Sequence, residues 1–134
     1  MSLASLDKQT VERFTRDFEA LFDAGDAAGM AAFYAEGARL LAENAPLISG
    51  RADIERFWAK AIARARAAGA VRTIALDEVN SSGALGYVLG TVTVRISHGP
   101  ELTTKYATIC SVTPTAAGAW PSTHRAPTRA RRLR

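Results

Sequence analysis

At 134 residues, with 48% hydrophobic and 22% charged residues, the chain has the size of one domain and the composition of a globular protein able to bury a core. No apolar run approaches the roughly 20 residues of a membrane-spanning helix. The one cysteine, Cys110, excludes an internal disulfide, and no Cys/His spacing suggests a metal site. The net charge of +4 belongs to one end: of the 17 Lys+Arg, five (Arg125, Arg129, Arg131, Arg132 and Arg134) lie in the last ten residues, and the other 12 face 13 Asp+Glu, a net charge of −1. The opening MSLASLDKQT has neither a basic nor an apolar leader region, so no secretory signal is expected and a cytoplasmic, membrane-free location follows by default.

Val11, Phe14, Phe18, Leu21 and Phe22 recur at helical spacing with charged residues between them, which predicts an amphipathic helix over residues 5–24. Gly25 supplies its stop, and Asp26 caps a short second helix over 27–34. After Gly37, the run Arg39-Leu40-Leu41-Ala42 is long enough only for a short strand, and Pro46 and Gly50 punctuate the loop that follows. A third helix opens at Ser49 or Gly50 with Asp53 and Glu55 in its first turn, where the helix dipole favours anions. Its apolar stripe runs through Ile54, Phe57, Trp58, Ala61, Ile62 and Ala65, and Gly69 ends it.

From there the texture changes to strands over 71–79, 85–97 and 102–112, rich in Val, Ile, Thr and Tyr, with turns at Asn80-Ser81-Ser82-Gly83 and His98-Gly99-Pro100. The expected fold class is α+β, three N-terminal helices packed on one curved antiparallel sheet. The domain covers residues 1–112. Residues 113–134, with three prolines and no alternation, read as an irregular basic tail, so the last strand of the sheet is expected to be missing or abnormal.

The order of Ala24-Gly25-Asp26, Phe33-Tyr34-Ala35-Glu36-Gly37-Ala38, Pro46, Ser49-Gly50-Arg51 and Ile54 with Phe57-Trp58 resembles the nuclear transport factor 2-like superfamily. Within it, the chain is most similar to the SnoaL-like and ketosteroid-isomerase-like small bacterial proteins. Gly86-Tyr87-Val88-Leu89-Gly90-Thr91 and Lys105-Tyr106 fit the sheet of that family, and the resemblance spans residues 6 to about 110. It implies a cone, helices closing a curved sheet around a mostly apolar pocket, and commonly a homodimer.

A ketosteroid isomerase needs a carboxylate base on the short strand and an oxyanion hole made by a tyrosine and a protonated aspartate. By the resemblance, the base position falls on Ala42, the tyrosine position on Phe18 and the second acid's position near Lys105. Ala42 and Phe18 have no proton to transfer, so the usual isomerase mechanism is rejected for this chain.

The pocket implied by the resemblance contains Phe18, Tyr34, Leu40, Ala42 and Trp58, with Tyr87 and Lys105 from the sheet. Such walls suit a small apolar ligand without a cofactor or metal. The bland alternative is that Phe18, Leu40 and Trp58 are plain core and that the tyrosine hydroxyls are spent on backbone partners. Alternation puts Lys105, Ala107 and Ile109 on one strand face and Tyr106, Thr108 and Cys110 on the other. If the first face looks into the cone, Lys105 becomes a candidate base, Schiff-base amine or acid-binding cation. If not, it reaches the rim or pairs with Glu78. Glu43 and Glu78 are the carboxylates near the expected mouth, and His98 sits in a turn.

The leading expectation is a single-domain pocket protein for a small, largely apolar metabolite, its activity unassigned. The alternatives are a non-catalytic dimerisation or ligand-binding module, or a lyase- or isomerase-type enzyme using Lys105, Tyr87 or Tyr34. A basic-tailed nucleic-acid binder ranks below these.

Where family members carry a last strand reading roughly acid-Gly-Gly-Trp-Arg-hydrophobic, this chain reads CSVTPTAAGAWPSTHR. Back-translated with freely chosen codons and read one nucleotide out of register, that segment permits QRDADGGWRVAFDT and a stop. The tail is therefore read as a frameshift product. Sequencing of the coding DNA is expected to show a one-base shift that restores a Trp-Arg strand, and a coding sequence in which no such shift restores it disproves this reading.

Overall fold

A computed structural model describes residues 2–3, 6–112 and 131–133 of the chain. The first long element, helix α1 (Lys8–Ala24), starts where Asp7 takes the cap position and accepts a 2.7 Å hydrogen bond from the Thr10 amide. That cap sets the start three residues later than the periodicity suggests. Gly25, at φ 79°, ends α1 in the left-handed conformation that glycine adopts at least cost. Helix α2 (Ala27–Ala32) is capped by Asp26, which accepts from the Gly29 amide at 2.8 Å. Helix α3 (Arg51–Ala68) carries Asp53 in its first turn and Arg66 in its last, both suited to the helix dipole, and stops at Gly69 with φ 62°.

The strands are β1 (Ser2–Leu3), β2 (Arg39–Leu41), β3 (Ile48–Ser49), β4 (Ala70–Ser82), β5 (Leu85–Ile96), β6 (Glu101–Val112) and β7 (Arg131–Leu133). They form one sheet in the order β3-β2-β7-β6-β5-β4, with β1 paired in parallel to the end of β6. Strands β4, β5 and β6 make a long antiparallel meander, and the helices cover one of its faces. The overall class is α+β, helices on a curved antiparallel sheet, as the sequence indicates. The expected turn at 80–83 is shorter than its residue types suggest. Asn80, Ser81 and Ser82 pair with Tyr87, Gly86 and Leu85, so ladder hydrogen bonds hold residues with turn preference in extended form.

Two corrections concern the far edge of β6. The expected irregular tail does not extend to Arg131–Leu133, which pair as β7 between β6 and β2; residues 113–130 lie outside the described residues. The edge of β6, which a missing last strand would leave open, is covered along part of its length. Ala107–Ile109 pair with β7, and Ser111 and Val112 pair with β1. Pairing of this kind satisfies backbone groups that would otherwise recruit another chain.

A bulge between Leu76 and Glu78 adds one residue to β4 and reverses its alternation. Arg72, Ile74 and Leu76 face the helices before it, and Val79 packs on the same core after it. On β5 the inward positions include Gly90, paired with Tyr106 of β6. The Tyr106 ring lies directly over Gly90, and a Cβ there would stand 2.4 Å from Cε1 and 2.5 Å from the hydroxyl oxygen. Both residues are buried. Gly90→Ala is therefore expected to lower stability by about 1–3 kcal/mol through overpacking, measured by urea denaturation. The double variant Gly90→Ala/Tyr106→Leu should recover much of that loss.

Candidate functional site

The helix-covered face of the sheet closes around a cluster of aromatic rings. Trp58 of α3, 1% exposed, meets Phe18, Phe22 and Phe57 edge to face at 5.4, 6.2 and 5.1 Å between centroids. Its indole N–H donates to the Tyr34 hydroxyl at 3.3 Å, which gives the one polar atom of this ring a buried partner. Phe33 extends the cluster to Phe14 and Phe18, at 4.4 and 5.6 Å. Arg51 holds the start of α3 against the turn after α2 by donating from Nε to the Tyr34 carbonyl at 2.8 Å.

Two cavities lie on either side of this cluster and share no lining residue. The inner one is about 40 Å³, walled by residues that include Phe14, Phe18, Tyr34, Tyr106 and Thr108. The outer one is about 710 Å³ and lies between α3, the loop after β2 and the ends of β4 to β6. Phe22, Phe57, Trp58 and Ala61 give it apolar walls, and Ala42 and Glu43 lie at the β2 end.

The outer cavity also contains a residue that the sequence reading missed. Arg72 is 8% exposed, and its guanidinium carbon sits 5.4 Å from the centre of the Phe22 ring and 5.2 Å from that of Trp58. Both distances fit cation–π contact. The signal available in the sequence was parity: Arg72 shares strand phase with Ile74 and Leu76, an inward phase hidden by the apolar but exposed Val71. Glu19 of α1 lies within electrostatic reach of Arg16 and Arg72. Its carboxyl is nevertheless pushed above the usual carboxylate range, because burial outweighs those cations.

The expected pocket residues therefore separate into groups. Trp58 and Ala42 line the outer cavity, Phe18 and Tyr34 line the inner one, and Leu40 is fully buried core. Lys105 and Tyr87 line neither, which corrects the idea of an intracavity lysine. The face of β6 that looks inward is Tyr106, Thr108 and Cys110. Lys105 points to the other, helix-free face, where Nζ donates to Thr91 Oγ1 at 2.7 Å and lies 3.6 Å from Asp77. Asp77 is held below the usual carboxylate range by the Thr91 hydrogen bond and then by Lys105. Tyr87 donates to Glu78 on that same face, and this bond raises its phenol pKa. Neither carboxylate of the 77–78 pair lies at the cavity. Among the described residues, no group of three His, Cys, Asp or Glu is placed to hold a metal.

The SnoaL-like domain family matches residues 14–120. The chain belongs to that family. No curated protein matches it. Among solved structures, a domain of unknown function with a cystatin-like fold from Nostoc punctiforme aligns at TM-score 0.69 and 16% identity, over 96% of this chain and 76% of that one. An NTF2-like protein with a cystatin-like fold from Novosphingobium aromaticivorans aligns at TM-score 0.67 and 19% identity, over 94% and 79%. The epoxide hydrolase/cyclase-like enzyme SalBIII, described in pyran ring formation in the polyether salinomycin, aligns at TM-score 0.55 and 14% identity, over 95% and 92%. At these identities the likeness shows the fold, and this SnoaL-like chain is a member of the nuclear transport factor 2-like superfamily.

Cys110 is fully buried at the inward face of β6, and burial pushes its thiol from 9.0 to about 11. The folded thiol thus keeps its proton where the unfolded one loses it, so stability falls as pH rises from 9 towards 11. The loss is on the order of 2 kcal/mol, and is read as the difference between the parent and Cys110→Ala in urea midpoints at pH 8 and pH 11. Iodoacetamide at pH 8 is expected to leave Cys110 unmodified in the folded protein and to alkylate it in guanidinium chloride.

Proposed function

We propose that this protein binds a small, largely apolar metabolite in the outer cavity, with no reaction assigned to it. The observation that carries this reading is the cavity itself. Its volume of about 710 Å³ lies in the range of small-molecule sites, and its lining includes three aromatic residues and six alanines. The fold family includes ligand-binding and isomerase- or cyclase-type proteins, which fits a pocket as the seat of function.

The steroid-isomerase chemistry does not fit these residues. Just past the short strand, the position that would hold its base offers Ala42 at the cavity, and the helix that would hold its tyrosine offers Phe18, whose ring is buried. A mechanism through Lys105 or Tyr87 lacks geometry, because both lie across the sheet from the cavity. Tyr34 shares its hydroxyl with Trp58 inside the core.

A second reading is a non-catalytic module that pairs two copies through the helix-free sheet face, where Leu85 and Leu89 are 57% and 36% exposed. Light scattering would report a mass of two chains if that face pairs. The two readings are compatible.

The neutral probe N-phenyl-1-naphthylamine tests the pocket. Its fluorescence is expected to rise on binding, and Ala61→Trp, which fills the cavity from α3, should weaken that binding at least fivefold. Lys105→Ala should leave it unchanged. Absence of binding, or equal binding by Ala61→Trp, overturns the proposal.

A further inference from the structure

We infer that the outer cavity is a site for an apolar metabolite with an acidic head group, and that Arg72 is the anchor for that group. This rests on the reading of the outer cavity as the binding pocket and names the chemical class it takes. Three observations converge on it. Arg72 brings a permanent charge into the cavity beside Phe22, Trp58 and Val94, and it is more than nine-tenths buried there. A buried cation is expensive unless opposite charge or aromatic faces surround it. The rings of Phe22 and Trp58 supply part of that compensation, and Glu19, on the α1 side, supplies a further part.

The second observation is the charge of the cavity. Among the described lining residues, Lys60, Arg64 and Arg72 are cations, and Glu43 is the one carboxylate. Lys60 and Arg64 are exposed on α3, one turn apart, and Glu43 is exposed in the loop opposite. A concave site with three cations, one anion and low-dielectric walls concentrates field lines and draws anions inward.

The third is guanidinium geometry. The guanidinium carbon of Arg72 lies over the Phe22 and Trp58 rings, and the N–H groups of arginine fan outward in one plane. A carboxylate in the cavity can approach an in-plane edge while Trp58 and Phe22 hold the group in place. The apolar body of the ligand then lies along Phe57, Trp58 and Ala61. A monoanion with an aliphatic or aryl body meets both demands, and a neutral ligand of the same shape meets one.

The test uses the full chain and two probes differing only in charge, 4-phenylbutanoate and 4-phenylbutan-1-ol, each titrated calorimetrically and by displacement of N-phenyl-1-naphthylamine. The parent protein is expected to bind the acid at least tenfold more tightly than the alcohol. Arg72→Met should remove that preference and leave alcohol affinity within threefold, and Arg72→Lys should retain a part of it. Because loss of a buried arginine can impair folding, the ¹⁵N resonance of Arg72 Nε in the parent provides a second measurement: it should shift with the acid and not with the alcohol. Equal binding of acid and alcohol, an acid preference that survives Arg72→Met, or an unmoved Nε resonance overturns the anchor. If the naphthylamine binds and the acid shows no preference, the pocket stands and the anchor falls. If none of the three probes binds, both fall.

Discussion

The placement of Trp58 is the constraint on which the rest of the molecule depends. Its ring is held edge to face by Phe18, Phe22 and Phe57, its N–H is satisfied by Tyr34, and its remaining face takes up Arg72. This one side chain therefore joins α1, the turn after α2, α3 and β4. Replacing a fully buried tryptophan of this kind by alanine removes about 3–5 kcal/mol, a large share of the stability of a small domain. It also divides the interior: Phe18 closes the inner cavity on one side of it, and the outer cavity opens on the other.

The sheet answers that arrangement with small residues where rings need room. Gly90 leaves a space under Tyr106, and the bulge at Asp77 turns Val79 inward to complete the core. The same bulge leaves Asp77 on the helix-free face, where it joins Thr91 and Lys105 in a polar network. The two faces of the sheet thus have different chemistry. The inner face is aromatic and apolar with Arg72 set into it, and the outer face mixes ion pairs with exposed leucines.

Much of this was legible in the residues. The cap Asp26 and the stops Gly25 and Gly69 mark the helices, because each acts through its own backbone and neighbours, whereas the apolar periodicity ran past the cap at Asp7. The succession of amphipathic helices and β-branched runs gives the class of fold, and the Phe33-to-Trp58 stretch points to the family. What alternation could not supply was the side of the sheet on which the helices lie. Lys105 and Tyr106 are adjacent and opposite, and only packing against α1 and α3 decides which of them enters the core. Arg72 was obscured by the same ambiguity, since a charged residue on a strand reads as solvent-facing until aromatic rings on two helices are brought over it. The pairing of Arg131–Leu133 with β2 and β6 was invisible for a different reason: a three-residue strand carries no periodicity of its own.

The proposed ligand seat is the space beside Trp58 and Arg72, and not the face that bears Lys105. A crystal structure of the full chain grown with 4-phenylbutanoate tests this most directly. The phenyl group is expected against Phe57 and Trp58, with the carboxylate within hydrogen-bonding distance of Arg72. Ligand density on the Lys105 face, or an outer cavity that stays empty at saturating acid, would contradict it.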